Sequence, residues 1–526
     1  MIQRFSLATL LVFLVTAGVG AADVANSDSG AVDQNWSQWR GPEMTGVAPN
    51  ATPPTKWDAE TNIKWKTEIP GRGSASPIIW GDRVFILTAI DTGVAPAEAP
   101  ADEKAATGGR VPAPESSLKI DASIQQTAAQ EPATEKPADQ PPAEGERERR
   151  FGDRDGRGER EARDPGERRF GDRRPGGPDG GRGFGGFGRR DSGPRNVYKF
   201  DVICLDRNTG EILWQKTARE AAPHEGMHDT NSYASGSPTT DGKFLYASFG
   251  SHGVYCYDLD GNNIWERDLG DMETRNGFGE GASPNLHGDT LLVPWDHEKD
   301  SHLFALDAAT GETKWEIDRD EPTTWVTPLV VDAAGRTQVI MNGANRSRSY
   351  DIKDGKLIWE CGGQVTNPIA TAVVHDGLVF CMTGHRGSAV VAIPLDATGD
   401  ITGTDKVAWD TNQGAPYVPS PILYGDKLYF TKGNNGVLSC LEAATGKPLI
   451  NQKRIPGVEN VYASPVGADG RIYFTGRDGT TVVIPNTGKL DILATNTVGE
   501  AVDASPALAG EQIFIRGDKH LFCIED

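Results

Sequence analysis

Hydrophobic positions in this chain fall in short alternating runs, each bounded by Gly, Asp or Asn. That is the period-2 pattern of half-buried strands joined by tight turns. The stretch SPTTDGKFLYASFGSHGVYCYDLDGNNIWERDLG, beginning at Ser237, is representative. A first strand follows Ser-Pro, and turns then separate KFLYASF, VYCYDL and NIWERDL. β-Branched and aromatic residues dominate these runs, as pleated, half-buried surfaces favour.

The order repeats. Ser76-Pro77, Ser237-Pro238, Ser283-Pro284, Thr327-Pro328, Ser420-Pro421, Ser464-Pro465 and Ser505-Pro506 each open a copy, and a degenerate copy lies near Asn367-Pro368. From the second copy on, the spacing is about 40 to 50 residues, the length of one four-stranded propeller blade. The pattern predicts an all-β fold: an eight-bladed β-propeller with four antiparallel strands per blade. An open solenoid is the alternative architecture. The last copy ends after three strands, whereas NIKWKTEI upstream of the first Ser-Pro carries Trp65 at an outer-strand position. An N-terminal strand is therefore expected to close the last blade, hiding two sheet edges.

Gly210, Gly261, Gly311 and Gly355 each precede a Trp by four residues: Trp214, Trp265, Trp315 and Trp359. Glycine supplies the positive φ of a tight hairpin, and the Trp is placed to fill the gap between blades. Trp409 is a looser match, with Ile450 and Leu493 near the same position in later copies. Cys204, Cys256, Cys440 and Cys523 share one slot, filled by Ala305 in another copy, which reads as a small buried strand position rather than a disulfide framework. Cys361 and Cys381 fall outside that slot, and a bridge between them stays open.

The first copy is interrupted. Residues 93–196 change character, first rich in Ala, Pro and Glu, then in Arg, Gly and Asp, with 15 Arg against 12 acids over 144–195. So little apolar content cannot offset ordering entropy, so this insertion is expected to be disordered. Interleaved acids argue for a tolerated loop over an RNA-binding segment. The formal net charge of −21 also disfavours nucleic-acid partners. Residues 1–22 read as a signal peptide: Arg4, an apolar core over 7–15, and small residues at 19–22. The expected layout is then 23–92 as N-terminal segment, closing strand and start of the first blade, and 197–526 as the remaining blades. The mature chain is expected to be periplasmic or secreted, monomeric, and without a membrane span.

The runs CLDRNTGEILW, CYDLDGNNIW, ALDAATGETKW and YDIKDGKLIW, with their Ser-Pro starts, resemble the pyrroloquinoline-quinone-like propeller repeat family. That family includes quinoprotein dehydrogenases, the outer-membrane assembly propeller lipoprotein and many secreted bacterial proteins. The leader WSQWRGPEMTGV, Trp36 to Val47, resembles that of planctomycete-type secreted propellers. The resemblance implies architecture more than activity. Its enzymes hold pyrroloquinoline quinone (PQQ) over two adjacent cysteines with calcium nearby; no two cysteines are adjacent here, and no haem-attachment motif is present.

Residues just before each Ser-Pro are expected at the rim of the central channel: His228, Asn231, Tyr233, Glu280, Trp325, Tyr417, Tyr462 and Asp503. Blade-internal turns add Asn345, Arg346, His385 and Arg386. Such an aromatic mouth suits a peptide, a sugar or another small ligand. PHEGMHDTNSY offers His224, His228 and Asp229 as metal candidates, and WDHEKDSH reads as a solvated turn. The expected function is a non-catalytic propeller that binds or scaffolds a protein or carbohydrate of the cell envelope through its channel face, with no cofactor. The alternative is a quinoprotein-like or metal-dependent oxidoreductase using PQQ and calcium.

Overall fold

The computed structural model describes residues 34–96 and 196–526. The signal-peptide reading and most of the insertion lie outside the described residues. What is described is all-β apart from two single-turn 3-10 segments, Gly250–His252 and Arg275–Gly277. No helix among the described residues is long and apolar enough to cross a membrane.

Eight separate sheets form the eight blades. Blade 1 is Ile78–Trp80, Arg83–Asp91, Tyr198–Asp206 and Ile212–Ala221. Blades 2 to 7 start at Thr239, Asn285, Leu329, Val373, Ile422 and Val466. Blade 8 combines Ala507–Ala509, Gln512–Arg516 and His520–Ile524 with the N-terminal strand Ile63–Glu68, which pairs antiparallel with Trp65 opposite Cys523. Arg207 of blade 1 clamps the seam: its Nε donates to Gln512 at 2.6 Å and its Nη2 to the Ala509 carbonyl at 2.8 Å. The N-terminal strand and a buried guanidinium thus close the ring together.

The Ser-Pro starts do more than begin strands. The backbone N–H of Ser76 donates to Ser237 Oγ at 2.9 Å, Ser237 to Ser283 at 2.9 Å, and Ser283 to Thr327 Oγ1 at 3.1 Å. Thr371 donates to Ser420, Ser420 to Ser464, and Ser464 to Ser505, each at 2.9 Å. This belt links six of the eight neighbouring pairs of innermost strands, and it satisfies N–H groups that would otherwise be buried without partners. The slot in blade 5 is Thr371-Ala372, not Asn367-Pro368 as the sequence suggested. The belt is built on the hydroxyls of this slot, not on the prolines.

All six cysteines are free and buried, which answers the open question about Cys361 and Cys381. WDHEKDSH is only partly the solvated turn expected. Glu298 to Asp300 are exposed, but Asp296 and His297 are buried. Arg319 grips Asp296 with Nε–Oδ1 at 2.7 Å and Nη2–Oδ2 at 3.1 Å, and Thr324 Oγ1 donates to Asp296 at 2.6 Å. The basic partner lies 23 residues on, at the end of the blade's outer strand Thr313–Arg319, out of sight of the local sequence.

The insertion leaves and re-enters at the end of a nine-residue hairpin, where Thr92 N–H donates to the Val197 carbonyl at 3.0 Å. In blade 2 the equivalent hairpin end meets the connection to blade 3, with Met272 N–H donating to Ser251 Oγ at 2.8 Å. These hairpin ends and the blade-to-blade connections therefore share one face.

Candidate functional site

The leader closes the channel from the opposite face. Trp36 forms a bridge with Ile79 of blade 1, and the Ser37 carbonyl accepts from Thr240 N–H of blade 2 at 2.9 Å. Met44 meets Asn285 of blade 3, Val47–Ala48 pairs parallel to blade 7, and Thr52 N–H donates to the Gly510 carbonyl of blade 8 at 2.9 Å. At the centre, the fully buried Arg40 donates to the Pro465 carbonyl at 2.7 Å, the Pro421 carbonyl at 2.5 Å and the Thr45 carbonyl at 3.1 Å. Burial lowers its pKa to about 9, yet it stays charged at neutral pH, tied to backbone oxygens of blades 6 and 7. A Cβ on Gly46 would collide with that guanidinium, so glycine is required there.

Above this plug the channel opens as a funnel with about 1320 Å³ of empty space, including its open mouth. Trp39 of the leader lies in its lining, with belt hydroxyls of Ser237, Ser283, Thr327, Ser464 and Ser505 around it. Aromatic rings supply much of the wall. His228 stands edge-on to Phe278 at 5.1 Å, and His385 lies 4.6 Å from Tyr417. Tyr462 carries the Arg477 guanidinium 4.0 Å over its ring, and Arg477 grips Asp503 with two bonds of 2.5 and 2.8 Å. His228 Nδ1, Thr230 Oγ1 and Tyr462 OH form a short chain of 2.9 and 3.2 Å contacts. Burial lowers the pKa of His385 and raises that of Tyr417. Both therefore present neutral, hydrogen-bonding rings near pH 7.

Six residues expected at the rim line this funnel, His228, Asn231, Trp325, Tyr417, Tyr462 and Asp503, and His385 of the blade-internal turns joins them. Tyr233 and Glu280 instead line a second cavity, between the connections that precede blades 2 and 3. Asn345 and Arg346 belong to neither. Their backbone N–H groups donate to Glu321, and Arg346 is paired with Asp400 at 2.7 Å and Glu360 at 3.3 Å. Arg386 is exposed at a turn with φ of 51°. Trp39, Thr230, Phe278 and Ile369 join the lining without having been singled out. Of these only Trp39 carried a signal, as the second Trp of the leader.

The proposed metal trio separates. His228 and Asp229 do not join His224. The cluster among the described residues is His224, Glu225 and Glu280, whose ligand atoms lie within 4.8 Å of one another. Glu280 comes from the next connection, too far along the chain for local spacing to reveal. Burial pushes its carboxyl up to about 7 against the bonds it accepts from Ser251.

The quinone of the family's enzymes is held over adjacent cysteines. Here every cysteine is buried in strand packing and none lines the funnel. The residues present do not fit that group.

Residues 199–452 match the family model described as outer membrane protein assembly factor BamB. No curated protein sequence matches the chain. Among solved structures, BamB from Moraxella catarrhalis is similar at 15% identity and a TM-score of 0.44, covering 62% of this chain and 94% of that one. The computationally designed Ika8 protein is similar at 11% identity and a TM-score of 0.44, covering 64% and 95%. Over residues 199–452 the repeats are therefore similar to those of the pyrroloquinoline-quinone-like propeller family.

Proposed function

We propose that this chain is a non-catalytic binding propeller of the bacterial cell envelope that engages a protein or carbohydrate partner at its funnel. The observation that carries the reading is the funnel itself. It is closed below by the leader and walled by half-buried Trp325, Tyr417, Tyr462 and Phe278, with belt hydroxyls at hydrogen-bonding positions. Flat rings with polar edges receive sugar faces or peptide side chains at low entropic cost. The Arg477–Asp503 pair in the wall is internally neutralised. The family match to an assembly factor named for the outer membrane supports both an envelope location and a protein partner.

The test is capture from a native envelope fraction by the tethered full chain, with the fraction pretreated with protease or with glycosidases. Loss of capture after one treatment identifies the partner class. A chromophore and substrate oxidation on adding PQQ and calcium would overturn the reading.

A further inference from the structure

The second cavity lies beside the funnel, sharing Ser235, Gly281 and Trp325 with it, and is small, with about 50 Å³ open to the centres of water-sized molecules. Into it converge an imidazole and carboxylates from two connections that are distant in sequence. His224 and Glu225 stand before blade 2, and Glu280 stands before blade 3.

Each of the three is held by groups outside the trio. His224 Nε2 lies 2.7 Å from the Met272 carbonyl, which can only accept. Nε2 therefore carries a proton, and in the neutral imidazole Nδ1 keeps its lone pair. This is the orientation that metal-binding histidines take from a backbone carbonyl. The same Nδ1 has an Asp271 carboxylate oxygen at 3.9 Å. Glu225 accepts from Thr274 N–H at 3.0 Å and from Thr274 Oγ1, and Glu280 accepts from Ser251 N–H at 2.8 Å and from Ser251 Oγ. A carboxylate has about four acceptor sites, so these two bonds leave Glu280 able to take a further ligand.

Gly250 makes room for the arrangement, since a Cβ there would occupy the place of the Glu280 carboxylate. No Lys or Arg forms an ion pair with Glu280 among the described residues.

We infer that His224, Glu225 and Glu280 bind one divalent transition-metal ion, with zinc as the probe. One imidazole nitrogen with two carboxylates is a mixed N/O set, which suits zinc or manganese better than the all-oxygen shells of calcium and magnesium. Donors ~2.1 Å from one tetrahedral ion stand ~3.4 Å apart, so the widest of the separations within 4.8 Å must close by up to ~1.4 Å, a side-chain adjustment on binding. Three protein ligands leave a coordination position facing the cavity. The ion would pin the connection carrying Asn231 and Tyr233 to the one carrying Phe278, and so brace one wall of the funnel. This site is independent of what the funnel binds.

The experiment uses the full chain, free of any histidine tag and stripped with chelator. Titration calorimetry with zinc chloride is expected to show one site per chain, and the melting temperature should rise with zinc. His224→Ala and Glu280→Gln should each lower the affinity at least tenfold, whereas His228→Ala should leave it unchanged. If a variant misfolds, cobalt(II) added to the native chain gives a second reading: visible bands from a low-coordinate N/O site, displaced by one equivalent of zinc. Absence of stoichiometric binding by the native chain, or equal binding by His224→Ala and Glu280→Gln, would overturn the assignment.

Discussion

Trp214, on the outer strand of blade 1, lies against Gly261 in the outer turn of blade 2, and its Nε1 donates to the Leu259 carbonyl at 3.0 Å. The relationship recurs around the ring. Trp65, Trp265, Trp315 and Trp409 donate to Arg207, Ala308, Ile352 and Ala443 carbonyls at 2.8 to 2.9 Å. Gly210, Gly311, Gly355 and Gly446 lie beneath those same indoles. The glycine four residues before one Trp therefore serves the Trp of the preceding blade. Trp359 departs from the rule: it is fully buried and turns its Nε1 to Gln338 at 3.3 Å.

Gly261→Ala is expected to lower stability by about 1–3 kcal/mol, because the residue sits at φ of +84° and a Cβ would stand 2.9 Å from the Trp214 ring. Thermal melts of the variant and of Trp214→Ala should both shift downward. The double variant should lose less than the sum, since both changes break one contact.

Asp296→Ala strands Arg319 in the interior without its carboxylate. Both side chains are essentially inaccessible, at 1% and 0% exposure. Loss of one partner of such a pair costs about 3–5 kcal/mol. Denaturant midpoints should show this loss, and Asp296→Ala combined with Arg319→Met should recover much of it.

His252 stacks on Phe200 at 4.1 Å, and burial, aided by nearby His224, lowers its pKa to about 4. The unfolded chain takes up a proton near the ordinary value of 6.5, whereas the folded chain resists until about 4. Stability is therefore unaffected by this group above about 6.5 and falls as pH drops from there toward 4, by up to about 3 kcal/mol. Melting temperatures across that window should flatten in His252→Phe.

Burial pushes the thiols of Cys204, Cys256, Cys381, Cys440 and Cys523 up to about 12. The native chain should thus show almost no reaction with a thiol-specific reagent at pH 8. All six cysteines should react once the chain is denatured.

Most of the architecture was legible because it repeats. Ser237, Ser283 and Ser464 announce blade starts, Trp65 announces the closing strand, and the shared cysteine slot announces strand cores. Blade 5 was harder, since Thr371 keeps the hydroxyl without the proline. What escaped depends on contacts between distant residues. Arg40 reaches carbonyls more than 380 positions away, and Glu280 meets His224 across a whole blade. Local spacing instead paired His224 with His228, which face different cavities. The rim was partly accessible to topology, since Trp325, Tyr417, Tyr462 and Asp503 precede belt hydroxyls and line the funnel, whereas Tyr233 and Glu280, placed by the same rule, line the second cavity.

The most direct measurement compares partner capture by the native chain, by Tyr417→Ala with Tyr462→Ala, and by Ile212→Ser with Leu213→Ser on the exposed outer edge of blade 1. With melting temperatures matched, capture from the envelope fraction should fall at least tenfold for the funnel pair and stay unchanged for the edge pair. Undiminished capture by the funnel pair, or its loss in the edge pair alone, would contradict the funnel as the binding face.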